Sequence, residues 1–173
     1  MILMYLSEGI GMLLGSTFTG VIIYFLAIGI LGLTNKRRKI EIKKSMVELI
    51  LVIYMITLLE ITGIIGMKFH FGFYNMNLIP FTDKSKGSIL MVILNFLLFV
   101  PYGTLLPIVF KKGKWNWKKM MIIGFATTIS IEALQLFGGR FAEIDDVIAN
   151  TLGTLTGFAI YLKVLSKEEK LLV

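Results

Sequence analysis

Five long apolar runs dominate this chain, at residues 10–33, 46–67, 89–110, 120–137 and 147–165. Each holds about 18–25 residues, enough at about 1.5 Å per residue to cross a hydrocarbon core about 30 Å thick as a helix. None shows the alternating polarity of a barrel strand, so helices are the only structure that satisfies the backbone in lipid. With 56% hydrophobic residues in 173, a soluble domain would leave too much apolar surface facing water. The expected fold is all-α: a polytopic integral membrane helical bundle of about five transmembrane helices in a single membrane domain, 1–173.

Charge sets the expected orientation. Fourteen Lys and Arg residues fall on one side of the predicted spans: Lys36, Arg37, Arg38, Lys39, Lys43, Lys44, Lys111, Lys112, Lys114, Lys118, Lys119, Lys163, Lys167 and Lys170. Four fall on the other: Lys68, Lys84, Lys86 and Arg140. Positive-inside then places the N-terminus outside and the C-terminus in the cytoplasm. The net charge of +7 is read as topology and contact with anionic lipid rather than nucleic-acid binding. Trp115 and Trp117 lie among lysines, as interfacial aromatics do. No cleavable signal peptide is expected, because residues 1–9 carry no basic region.

The predicted outer loop, 68–88, holds Phe69, His70, Phe71, Phe73, Tyr74 and Phe81. So aromatic a segment belongs in the membrane interface or dips back into the bilayer. The first helix, 10–33, is nearly free of polar residues and is expected to be an addition to a core at 46–165. With no cysteine and one histidine, no metal or cofactor is expected.

Ionisable groups inside membrane helices are costly and need a partner or a function. Glu60, Asn95, Glu132 and Asn150 fall, by helical rise, roughly 5–11 Å below the outer boundary on four different helices. Thr128, Glu132 and Gln135 follow i, i+4, i+7 and share a face, Asn95 and Tyr102 are seven apart, and Asp146, Asn150, Gly153 and Gly157 share another face. Gly153 and Gly157 form a GxxxG seam that permits close helix contact, within the chain or in a homo-oligomer. Between the last two helices, Gly138 and Gly139 allow a sharp turn. Arg140 can then fold over the carboxylates of Asp145 and Asp146, or hold a phosphate.

Structural roles compete with these. Asn95, Gln135 and Asn150 can serve as interhelical hydrogen-bond glue. Asp145 or Asp146 can be a helix N-cap, and the carboxylates with Arg140 can form a salt-bridge network. Glu60 could equally face the first helix. Pro101 and Pro107 are expected to kink the third helix. No G-x-S-x-G, H-E-x-x-H or P-loop is present.

Four segments in order, NLIPF at 77–81, NFLLFVPYG at 95–103, EALQ at 132–135 and GRFAEIDDVIANTLG at 139–153, resemble the VanZ-like family over residues 46–165. The positions that match are Asn77, Pro80, Phe81, Asn95, Pro101, Gly103, Glu132, Gln135, Arg140, Asp145, Asp146, Asn150 and Gly153. Leu94 departs from the acidic residue that some relatives place beside the Asn. The resemblance implies a bacterial cell-envelope protein of the cytoplasmic membrane that lowers susceptibility to glycopeptide antibiotics such as teicoplanin.

Three functions are open. The first is a binding protein for a membrane lipid, a lipid-linked envelope precursor or the glycopeptide itself, using Asn77, Asn95, Tyr102, Glu132, Gln135, Arg140, Asp145, Asp146 and Asn150. The second is an enzyme acting on a lipid head group, with Glu132 and Asp146 as acid–base pair and Arg140 holding phosphate. The third is a lipid or proton-coupled transporter. Binding is the first expectation.

Overall fold

The computed structural model describes residues 2–33, 42–68, 75–82, 85–111 and 114–165. The basic residues at 36–39, Lys84, Lys112, Lys167 and Lys170 lie outside the described residues, as do His70 and its aromatic neighbours at 69–74. The fold is all-α, with helices α1 (Ile2–Leu33), α2 (Ile42–Ile61), α3 (Lys86–Val109), α4 (Trp117–Phe137) and α5 (Ile144–Ile160). Two short strands, β1 (Met76–Asn77) and β2 (Ala142–Glu143), pair in parallel.

Three helices, α1 through Ile10–Ile30, α3 and α4, are long and apolar enough to cross a membrane. The other two differ for identifiable reasons. Lys43, Lys44, Glu48 and Glu60 charge α2. α5 has only 17 residues, short of the ~20 that a span needs, although a π-type turn at Tyr161–Leu165 continues it.

The chain divides into two compact units, Met1–Gly66 and Met67–Val173. In the first, α1 and α2 pack as an antiparallel pair. Gly20 lets the α1 backbone approach Ile53, where an added Cβ would come within 2.7 Å of the isoleucine side chain. Two hydroxyls of α1 serve two carboxylates of α2: Ser16 donates to Glu60 Oε2 at 2.7 Å and Tyr24 to Glu48 Oε2 at 3.2 Å. Lys44 stands 4.0 Å from Glu48. Glu60 thus has a partner on α1, with Ser16 fully buried at the contact. Interhelical hydrogen bonds in lipid are modest in strength, so Ser16→Ala should loosen the α1–α2 pair by about 1 kcal/mol. Chemical denaturation in mixed micelles measures this, and no loss would remove the clamp from the account.

In the second unit α5 is the central element, packed against both α3 and α4. Glycines make this close approach. A Cβ at Gly153 would overlap the carbonyl of Phe96, one at Gly157 the carbonyl of Val100, and one at Gly103 the carbonyl of Thr154. Thr104 of α3 donates across the same seam to Gly157 O at 3.0 Å. The GxxxG face is therefore occupied by α3 of the same chain, and an oligomer through Gly153 and Gly157 would have to displace it. Gly124 of α4 makes room for Thr154, whose side chain would lie 2.9 Å from an added Cβ.

Local signals fix the helix ends. Ser85 caps α3 by accepting from Ser88 N, and Asn116 caps α4 by accepting from Lys119 N at 2.8 Å. α3 continues as one helix through Pro101 and Pro107. At the end where α4 starts, Trp117 packs edge-on to Phe158 at 5.2 Å, Phe158 stacks on Tyr161, and Lys119 lies 4.8 Å over Trp115.

Candidate functional site

The polar residues gather where α4 ends and α5 begins. The C-terminus of α4 is a complete Schellman motif: Gly139 takes φ 74°, Arg140 N donates to Gln135 O, and Gly139 N to Leu136 O. Gly139 supplies the left-handed residue. Gly138 has negative φ, and what it supplies is space, since an added Cβ would lie 2.6 Å from the Met67 sulfur. Arg140 follows directly and is exposed.

α5 then starts at a point fixed by two backbone contacts. Ala142 N donates to Asn75 O at 3.1 Å, and Met76 and Asn77 pair with Ala142 and Glu143. Glu143 occupies the N-cap position without a side-chain cap. Asp145 and Asp146 are second and third in the helix, so neither is the N-cap. Adjacent positions point about 100° apart, and the two acids have separate tasks.

Asp145, 4% exposed, anchors the loop before α3. Its carboxylate accepts from Phe81 N at 2.9 and 3.2 Å. Phe81 has φ 56°, an uncommon conformation for a bulky residue, and this bond holds it there. Asn77 shapes the same loop: its amide donates to Thr82 Oγ1 at 2.8 Å and its Oδ1 accepts from Ile79 N at 3.4 Å. The loop presents Leu78, Ile79 and Phe81 outward, and Phe141 is exposed as well. Asn77 and Asp145 are thus brought to the loop framework rather than to the polar cluster.

Asp146 joins that cluster. The Asn95 side chain donates a hydrogen bond to its carboxylate. Glu132, 6% exposed, accepts from Glu143 N at 3.1 Å through Oε2. Glu132 and Asp146 repel each other electrostatically, and the Arg140 charge attracts both. Asn95 of α3, Glu132 of α4 and Asp146 of α5 therefore form one level. One turn further along α4 and α5, about 5.4 Å away, the buried Asn150 amide donates to Thr128 Oγ1 at 2.8 Å. The Asn150 carbonyl oxygen is buried with no hydrogen-bond partner.

The remaining candidates flank these levels. Gln135 is buried on the Thr128–Glu132 face. Tyr102 is buried and shares a 2.8 Å hydrogen bond with Thr127, joining α3 to α4. No spacing pattern pointed to Thr127 as its partner, because the contact is between helices. Thr128 carried a signal, one turn before Glu132. Leu94 lies on an exposed face beside Asn95. No group of three or more His, Cys, Asp or Glu among the described residues could hold a metal ion.

The profile of the VanZ/LLP1 family matches residues 21–166. The chain belongs to the VanZ/LLP1 family. It is similar to Protein VanZ of Enterococcus faecium, with 29% identity over 117 residues, 65% of this chain and 71% of that protein. No solved structure matches the chain. The VanZ/LLP1 match starts within α1, upstream of the core expected from the motifs, and takes in all of α2. Every motif residue of the VanZ-like pattern lies inside the matched span, and Gly103 and Gly153 of that pattern are the α3–α5 contact points described above.

Proposed function

We propose that this VanZ-type membrane protein is a multi-pass protein of the bacterial cytoplasmic membrane, with all five helices crossing, the N-terminus outside and the C-terminus inside. It lowers susceptibility to glycopeptide antibiotics such as teicoplanin by binding a cell-surface lipid or lipid-linked component at the level of Asn95, Glu132 and Asp146. The observation that supports binding is the convergence of these three side chains, from three helices, beside Arg140. The 14-to-4 distribution of basic residues supports the orientation, and the family membership supports the link to the antibiotic.

Cells expressing the chain should tolerate several-fold more teicoplanin than matched cells without it. Glu132→Gln and Asp146→Asn, at equal protein levels, should lose most of that protection. Unchanged tolerance in both variants would overturn the reading.

A second reading, an enzyme acting on a lipid head group, draws on the electrostatic coupling of Glu132 and Asp146. It requires that membrane lipid extracts change in mass when the chain is expressed, whereas binding leaves them unchanged. Transport has less support, because the polar cluster lies at one end of the second unit while the aromatic rings of Trp117, Phe158 and Tyr161 pack together at the other.

A further inference from the structure

The polar cluster is a strip of acceptors. Glu132 and Asp146 bring two carboxylates to one level, where Glu132 accepts from the Glu143 backbone N–H and Asp146 from the Asn95 amide. One turn below lies the Asn150 amide, 3% exposed. Its nitrogen is satisfied by Thr128, and its oxygen meets no donor. Buried side-chain acceptors in folded proteins nearly always have a partner, so an orphan at this depth needs one from outside the chain. The repulsion between Glu132 and Asp146 at the level above outweighs the attraction of Arg140 on Glu132, so a further donor between the two carboxylates would be welcome there. A fully ionised phosphate offers only acceptors and negative charge to this strip. The exposed Arg140 at its edge is the group suited to phosphate.

We infer that the ligand of this site is a lipid head group carrying hydroxyl or ammonium donors, which enter the Glu132–Asp146–Asn150 strip while the adjoining phosphate meets Arg140. This rests on the binding reading above and adds the chemistry that selects the ligand. Two sources share that chemistry: an amine- or polyol-bearing phospholipid, and the saccharide of a lipid-linked precursor. Phosphate-only lipids do not.

The full chain in phosphatidylcholine nanodiscs, titrated with single lipids and read by native mass spectrometry, tests this. The probes are phosphatidylethanolamine, phosphatidylglycerol, a glycosylated polyprenyl diphosphate, phosphatidic acid and polyprenyl phosphate. At least one donor-bearing lipid should bind about tenfold more tightly than either phosphate-only lipid, the factor one charge-assisted hydrogen bond supplies. Which one does so identifies the source. Asn150→Leu should reduce that preference, and Arg140→Gln should weaken all phosphate-bearing lipids alike. Equal binding of donor-bearing and phosphate-only lipids to the native chain would overturn the inference and leave the binding site standing. Saturable binding of none of them, by folded protein, would overturn the binding reading itself. The native-chain comparison holds even if Asn150→Leu fails to fold.

Discussion

Gly153→Ala and Gly157→Ala should each destabilise the second unit by about 2–3 kcal/mol, the range for forcing a methyl group into a close-packed contact. At both positions the new Cβ would meet a backbone carbonyl of α3, Phe96 at the first and Val100 at the second. A carbonyl within a helix cannot swing aside as a side-chain terminus can, so the two helices must separate. Separation would also stretch the Thr104 bond to Gly157 O and draw Asn95 away from Asp146. The matched controls are Gly11→Ala and Gly15→Ala in α1, where an added Cβ meets nothing within 4 Å. These should be neutral or stabilising by up to about 1 kcal/mol, from helix propensity alone. Reversible unfolding in mixed micelles compares the four variants. Equal effects at Gly153 and Gly11 would mean that α3 and α5 are not in backbone contact.

Asp145→Ala should cost about 2–3 kcal/mol, because it leaves the Phe81 N–H without its charged acceptor and removes negative charge from the first turn of α5. Asp145→Asn keeps one acceptor oxygen and should cost about half as much. Asp146→Asn should change stability less than Asp145→Ala while removing antibiotic protection, because Asp146 belongs to the polar cluster and Asp145 to the loop anchor. Stability in micelles and teicoplanin tolerance in cells, measured on the same three variants, separate the two roles. Full protection by Asp146→Asn, or no stability loss in Asp145→Ala, would contradict the assignment.

Much of the helical pattern was legible in the chain itself. The five apolar runs correspond to α1–α5, although α1 begins earlier, at Ile2, α2 ends earlier, at Ile61, and polar residues extend the starts of α2 and α3, as Lys43, Lys44 and Lys86 do. The i, i+4, i+7 series identified Thr128, Glu132 and Gln135 as one face, and all three are buried. Gly139 before Arg140 is a helix-ending signal that works by local backbone geometry, with no help from tertiary contacts.

What periodicity leaves open is the neighbour that fills a face. A GxxxG seam allows close approach to any helix, and the tertiary structure assigns it to α3. Glu60 needed a hydroxyl or another polar partner, and Ser16 supplies it from a helix whose sequence looked almost featureless. Asn77 read as a site residue because it stands in a motif, but its amide shapes the loop that Asp145 holds.

The carboxylates where α4 ends and α5 begins show the division most clearly. Composition and helical spacing alone determined that Glu132, Asp145 and Asp146 lie near helix ends beside Arg140, because those properties depend only on rise and twist along the chain. Only the tertiary structure decided that Asp145 binds the Phe81 backbone while Asp146 meets Asn95 and faces the charge of Glu132. Two neighbours on one helix diverge by about 100°, and which surroundings each meets is set by the packing of α3 and α4 around α5.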